Sequence, residues 1–308
     1  HVRNKRLAPT VDLEVIARGT PGFSGADLEN LVNEAALFAA REDKDAIEGC
    51  DLEAAKDKVM LGAERRSVVL TEADKRITAV HEAGHTLVAR LVPGNDPVHK
   101  VTIIPRGMAL GVTWTLPEKD QHNLSEEQVR GRIAMAMGGR VAEKLVFDRL
   151  TTGAGNDIEQ ATKLARKMVC EWGMSRMGPI ALAREKGDVF LGREITRSEE
   201  FSEATQSEAD AEIRRVLDEG HTLATEIVTG NREALDRIAA ALLEFESIDG
   251  TEVDILLQGG NLEAIAAHRQ ALKEANAAAV RPPAQPVSTA PEPTRDPLVG
   301  QLPDPEPV

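Results

Sequence analysis

Tyrosine is missing from this chain, and six phenylalanines and two tryptophans make up its whole aromatic content of 3%. A hydrophobic share of 42% is still enough for a core. With few rings to fill it, that core must be built from Ala, Leu, Val and Ile, which favours close-packed helices. Cysteine is nearly absent too. Cys50 and Cys170 belong to no Cys-x-x-Cys pair and lie near no histidine motif, which excludes a disulfide-stapled fold and leaves two reduced, packed thiols of a cytosolic-type compartment. No run of 18 apolar residues occurs and no signal peptide leads the chain, so this segment reads as soluble. Basic clusters are lacking: the formal net charge of −14 argues against nucleic acid or an anionic membrane surface as a partner. Nothing matches the phosphate-binding pattern G-x-x-x-x-G-K-S/T, so the segment should not hydrolyse ATP. At 308 residues there is room for one large domain with appendages or for two smaller ones.

What the chain does contain is the stretch His81-Glu82-Ala83-Gly84-His85. On a helix, residues four apart leave the same face one turn apart, so His81 and His85 can grip a single ion. Zinc suits two imidazoles. Glu82 then lies beside the ion, placed to take a proton from an attacking water. The surrounding pattern supports a helix: Ala73, Ile77, Val80, Gly84, Leu87, Val88 and Leu91 recur at three- and four-residue steps, Thr71 with Asp74 forms a capping pair, and Pro93-Gly94 closes the run. Such a helix should bury one side. The competing reading is two ordinary helix-face histidines.

Two histidines leave a catalytic zinc site incomplete, because three protein ligands are usual. His1, His99, His122, His221 and His268 have no second feature to recommend them. Residues 151–159, a small-residue loop entering a helix, carry Asn156 as an expected cap and Asp157 with a side chain free to turn toward a neighbour. On physical grounds alone, Asp157 reads as a helix-start carboxylate with no metal.

Several motifs occurring together, in order, extend this reading. The metal helix, the segment Val98-His99-Lys100-Val101-Thr102-Ile103-Ile104-Pro105-Arg106-Gly107, the run Gly138-Gly139-Arg140-Val141-Ala142-Glu143 and residues 151–159 resemble the FtsH family of membrane-anchored AAA proteases, over residues 1 to about 257. The resemblance implies a mainly α fold, with a helical AAA lid (1–62) and an α-helical zinc metallopeptidase domain with a small β-hairpin or sheet (63–258); residues 259–308 lie outside it and read as a C-terminal helix and Pro-rich tail. It implies Asp157 as third zinc ligand, Glu143 close behind the metal, Glu82 as catalytic base, and Gly25 and Ala26 near the nucleotide. It further implies Zn2+ in this segment and ATP with Mg2+ only in the complete protein. A homo-hexamer acting on unfolded or membrane protein substrates is expected, anchored through a segment upstream of His1 at the cytoplasmic face of a bacterial inner membrane. A start at His1 without Met fits a fragment. Met108 departs from the family pattern, standing where a basic residue is common, and Lys144 follows Glu143.

In chain order, residues 1–10 read as irregular. Helices are expected at 11–18, at 28–41 after an N-cap at Ser24, and from a cap near Asp51 to about Met60, with residues 62–70 as linker. Residues 101–104 and 110–115 are β-prone. They either pack the metal helix or offer an edge to an extended substrate. A helix from Ser125 to about Leu150 is interrupted by Gly138-Gly139, which makes sense if another helix or the metal loop crosses there closely. Further helices are expected from Asn156 to about Trp172, at 199–229, 231–246 and 262–279, with a loop at 187–197. Nine prolines after residue 280 forbid regular structure, so the tail should be disordered. A zinc amidase acting on small molecules, or an inactive assembly module, remain alternatives to a peptidase.

Overall fold

A computed structural model describes residues 1–65, 70–106, 109–117, 123–182 and 201–280, with the backbone alone for Leu61 and residues 276–280. Residues 66–69 of the expected linker, Met108, His122, the loop expected at 187–197 and the tail at 281–308 lie outside the described residues.

Three helices open the chain. α1 (Leu13–Arg18) is capped by Asp12, α2 (Gly25–Arg41) by a reciprocal Ser24 and Asp27 pair, and α3 (Gly49–Leu61) starts at Glu48 with Asp51 as its return partner rather than its cap. Leu31, Val32, Ala35, Leu52 and Ala55 close a core of their own. Aliphatic residues and alanine fill it, as the scarcity of rings requires.

α4 (Glu72–Leu91) carries the two histidines. Thr71 accepts from the Asp74 amide at 3.1 Å while Asp74 accepts from Thr71, so the helix starts where its capping pair predicts. Its burial differs from the expected one-sided stripe: every residue from Thr78 to Ala89 is buried. The helix runs through the middle of the second core, with other elements packed around it, so its polar residues face protein and not water.

β1 (Val98–Thr102) lies at the centre of an antiparallel sheet, between β2 (Val112–Thr115) and β3 (Ser247–Asp249). β1 begins three residues before the β-prone run, and β3, a three-residue strand, was not foreseen. The chain continues through α5 (Glu126–Phe147), a 3-10 turn at Thr152–Ala154, α6 (Gly155–Cys170), α7 (Glu203–Gly230), α8 (Arg232–Phe245), the unforeseen α9 (Gly250–Leu257) and α10 (Leu262–Val280). α5 stops short of Leu150, because Asp148 takes a left-handed conformation. α6 is not capped by Asn156. Thr151 instead caps the 3-10 turn, which runs straight into α6 and leaves Asn156 inside its first turn. Of the two thiols, Cys170 is half-buried but Cys50 is exposed, so only one of them packs.

α4 and α5 cross at glycines. A Cβ on Gly84 would come within 2.7 Å of Ala142 Cβ, and one on Gly138 within 2.6 Å of the Gly84 carbonyl. That close approach is what the interrupted helix pattern anticipated. Where α3 meets the sheet, polar groups make the contact. Lys56, only 1% exposed, pairs with Glu53 at 2.6 Å and touches His99 at 3.1 Å, while Lys100 pairs with Asp57.

Candidate metal centre

Each imidazole of α4 is oriented from behind. His85 Nδ1 lies 2.8 Å from the Met135 carbonyl oxygen of α5. A carbonyl can only accept, so Nδ1 carries the proton and Nε2 is a bare lone pair whenever His85 is neutral. His81 Nδ1 lies 2.6 Å from Glu143 Oε1, and the Thr151 amide donates to the other oxygen of that carboxylate at 3.0 Å. Glu143 is buried on α5, so it holds His81 in the same tautomer.

With both Nδ1 atoms engaged, both Nε2 atoms point inward. They lie 3.0 Å apart, and Asp157 Oδ2 approaches them at 3.1 and 3.3 Å. Two lone pairs and an anionic oxygen at such spacing repel unless a positive charge sits between them. A proton on His81 is one such charge: burial alone would lower its pKa, but the Asp157 and Glu143 carboxylates outweigh that and raise it to about 10. A divalent cation is the other. The donor set of two imidazoles and one carboxylate fits zinc, with three protein ligands and a position left over. Burial opposes charge on Asp157, yet the two histidines hold its carboxyl well below the usual range.

Asp157 reaches the pair because the 3-10 turn feeds α6 at the mouth of the site and places this residue in the helix's first turn. Gly139 clears the space opposite: a Cβ there would press on the His81 ring at 2.6 Å. Glu82, 5% exposed, lies beside the donors with its carboxylate on the β2 side, where Thr113 Oγ1 donates to Oε2 at 2.7 Å. Burial pushes the Glu82 pKa up, against the opposing pull of His85 and His81.

The structure thus gathers His81, Glu82, His85, Glu143 and Asp157 in one site. Gly25 and Ala26 are not part of it: they are exposed at the first turn of α2, on the other core. His99 also stands apart, packed on Trp114 and Lys56. Sequence reasoning missed Thr113, Gly111 and the Met135 carbonyl. A main-chain oxygen leaves no trace in residue type, and nothing in the β-prone run ties residue 113 to residue 82.

Comparisons with known proteins give the family of the chain. Residues 10–54 match the AAA+ lid domain. The chain is 55% identical over 279 residues to an ATP-dependent zinc metalloprotease FtsH 1 of Bdellovibrio bacteriovorus, covering 90% of this chain and 43% of that protein. It is 57% identical over 263 residues to an ATP-dependent zinc metalloprotease FtsH of Myxococcus xanthus, covering 85% and 41%. An FtsH of Acidobacterium capsulatum is 51% identical over 262 residues, covering 85% and 41%. The chain therefore spans about two-fifths of the length of the curated relatives it matches. Residues 68–256, which include the metal helix, the sheet and the helices closing over them, match Peptidase family M41, and the chain belongs to that family.

Proposed function

We propose that this chain is the lid and peptidase portion of a membrane-anchored, ATP-dependent zinc endopeptidase acting on unfolded, misassembled or short-lived proteins, membrane proteins among them. The observation that carries the reading is the convergence of two inward Nε2 lone pairs and the Asp157 carboxylate next to Glu82. The names of the relatives, ATP-dependent zinc metalloproteases, point the same way.

His81, His85 and Asp157 would hold zinc, which would supply a Lewis acid able to acidify water and polarise a carbonyl. Glu82 accepts the proton of the attacking water at its carboxylate and passes it to the leaving amine. Burial raises the Glu82 pKa, which eases its taking up of a proton. Glu143 orients His81, and the Met135 carbonyl orients His85. Among the described residues β2 has β1 on one side only, so its outer edge presents main-chain groups to which an extended substrate can add as a strand. Main-chain recognition explains how one site could take many sequences.

We assign residues 1–62 to the lid, 63–258 to the peptidase domain and 259–308 to a C-terminal helix and tail. In the complete protein, Gly25 and Ala26 would lie near ATP and Mg2+, and a homo-hexamer would be anchored at the cytoplasmic face of the inner membrane by a segment outside this chain. No helix among the described residues is long and apolar enough to cross a membrane.

Degradation of casein by the zinc-loaded chain tests the reading. Wild type should cleave it, and Glu82→Gln should keep about one zinc per chain while losing turnover. Hydrolysis of small amides without cleavage of casein would replace the peptidase by an amidase.

A further inference from the structure

Glu82 is held from the sheet by two residues outside every motif. Thr113, on β2, places its hydroxyl 2.7 Å from Glu82 Oε2, 3.2 Å from the Glu82 carbonyl and 3.3 Å from Thr86 Oγ1. The protons can be assigned. Thr86 donates to the Glu82 carbonyl at 2.7 Å, one turn back along α4, which uses its only proton. Thr113 then has the carboxylate as its shortest and, among the described residues, only charged acceptor, so its proton goes to Oε2. Gly111 bounds the same carboxylate just before β2 begins. A Cβ there would lie 2.7 Å from Glu82 Oε1, 2.8 Å from its Cγ and 2.8 Å from Thr78 Cγ2.

We propose that Thr113 is a positioning residue for the base: its hydroxyl ties Oε2, the missing side chain of Gly111 leaves room for Oε1, and the carboxylate is fixed with one oxygen free for the proton. The inference rests on the peptidase reading above. It has a mechanical consequence, because the strand that ties the base is also, among the described residues, the one at the open edge of the sheet. A peptide added to that edge stiffens β2, and with it the hydroxyl that aims Glu82. Seating an extended substrate and aiming the base thereby become one event, and a small molecule that cannot pair with β2 forgoes the second.

The experiment compares Thr113→Val, Thr113→Ser, Gly111→Ala and Glu82→Gln in the zinc-loaded full chain, measuring kcat and KM on an unstructured peptide, zinc content and the thermal midpoint. Valine keeps the shape of threonine without the proton. It should lower kcat by roughly tenfold to a hundredfold, the scale set by misplacing a catalytic group, with KM, zinc content and midpoint near wild type. Thr113→Ser, which keeps the hydroxyl, should restore most of kcat. Gly111→Ala should lower kcat by displacing the carboxylate from the other side, and it stands in if the valine variant does not fold. A wild-type kcat in Thr113→Val or in Gly111→Ala overturns the proposal. So does a defect confined to KM, a serine variant as impaired as valine, or a loss of zinc or midpoint that accounts for the lost activity. Full activity in Glu82→Gln would instead remove the base itself, which separates failure of the peptidase reading from failure of this one.

Discussion

Gly84 and Gly138 meet backbone to backbone where α4 crosses α5, and neither leaves room for a Cβ on the other. The contact does more than pack two helices. Met135 lies one turn before Gly138, and its carbonyl sets the tautomer of His85, one residue after Gly84. Gly138→Ala should therefore separate the helices, cost on the order of 1–3 kcal/mol from overpacking, and weaken zinc binding as well. Thermal unfolding together with a zinc titration checks both. Lost stability with wild-type zinc affinity would show that the crossing does not orient the ligand.

Glu143 touches His81 and not the space between the donors, so its removal should act at one remove. Glu143→Gln can still accept from Nδ1 but lacks the charge, whereas Glu143→Ala leaves both the imidazole and the Thr151 amide without this partner. Zinc affinity should fall by about tenfold to a hundredfold in the alanine variant, and less in glutamine. Competition with a chelator measures the ratio. Equal affinities in wild type and alanine would mean that the ring is held by packing alone.

How much of this could be read in advance depended on the range of the signal. The capping pair Thr71 and Asp74, the spacing of His81 and His85, and the glycines of α5 are local patterns, and each has the predicted place in the fold. Asp157 came only through family resemblance, since its distance from the histidines along the chain carries no periodicity. β3 has a single buried residue, Ile248, and pairs with a strand some 145 positions earlier, so no alternation could reveal it. The full burial of α4 was hidden for a different reason. Its polar residues look like a solvated face, and only the elements packed over them show that they line a site.

Lys56 joins the two cores. Its ammonium is buried beside Glu53 and His99 and lies 5.5 Å from the centre of the Trp114 ring, so α3 is fastened to the sheet that carries β2. Burial opposes charge on Glu53, but His99 and Lys56 outweigh it and hold its carboxyl down at about 2. Lys56→Met keeps the aliphatic stem and removes the charge. Glu53 stays partly exposed and can rehydrate, so the loss should be about 1–2 kcal/mol and not the 3–5 kcal/mol of a fully buried broken pair. Protease nicking between the two cores should become faster. Unchanged cleavage there would mean that the apolar contacts suffice to hold the two cores together.

Acid should act on a different part of the molecule. Glu212 of α7 is buried. It accepts from the Arg176 amide at 2.9 Å and from Arg215 Nε at 2.8 Å, so it pins the segment after α6 to α7. The Arg215 guanidinium holds its pKa at about 2, below the ordinary 4.5. A carboxyl depressed in the folded state binds its proton more weakly there than in the unfolded chain, so its contribution is complete above pH 4.5 and is lost as pH falls toward 2. Other carboxylates titrate in the same window. The informative quantity is thus the difference in stability between wild type and Glu212→Gln, followed from pH 6 to pH 2 by urea unfolding. That difference should be on the order of 2 kcal/mol at pH 6 and should shrink steadily below about pH 4.5. A gap that stayed constant down to pH 2 would mean that glutamine fails for reasons of shape and that the Glu212 charge contributes nothing.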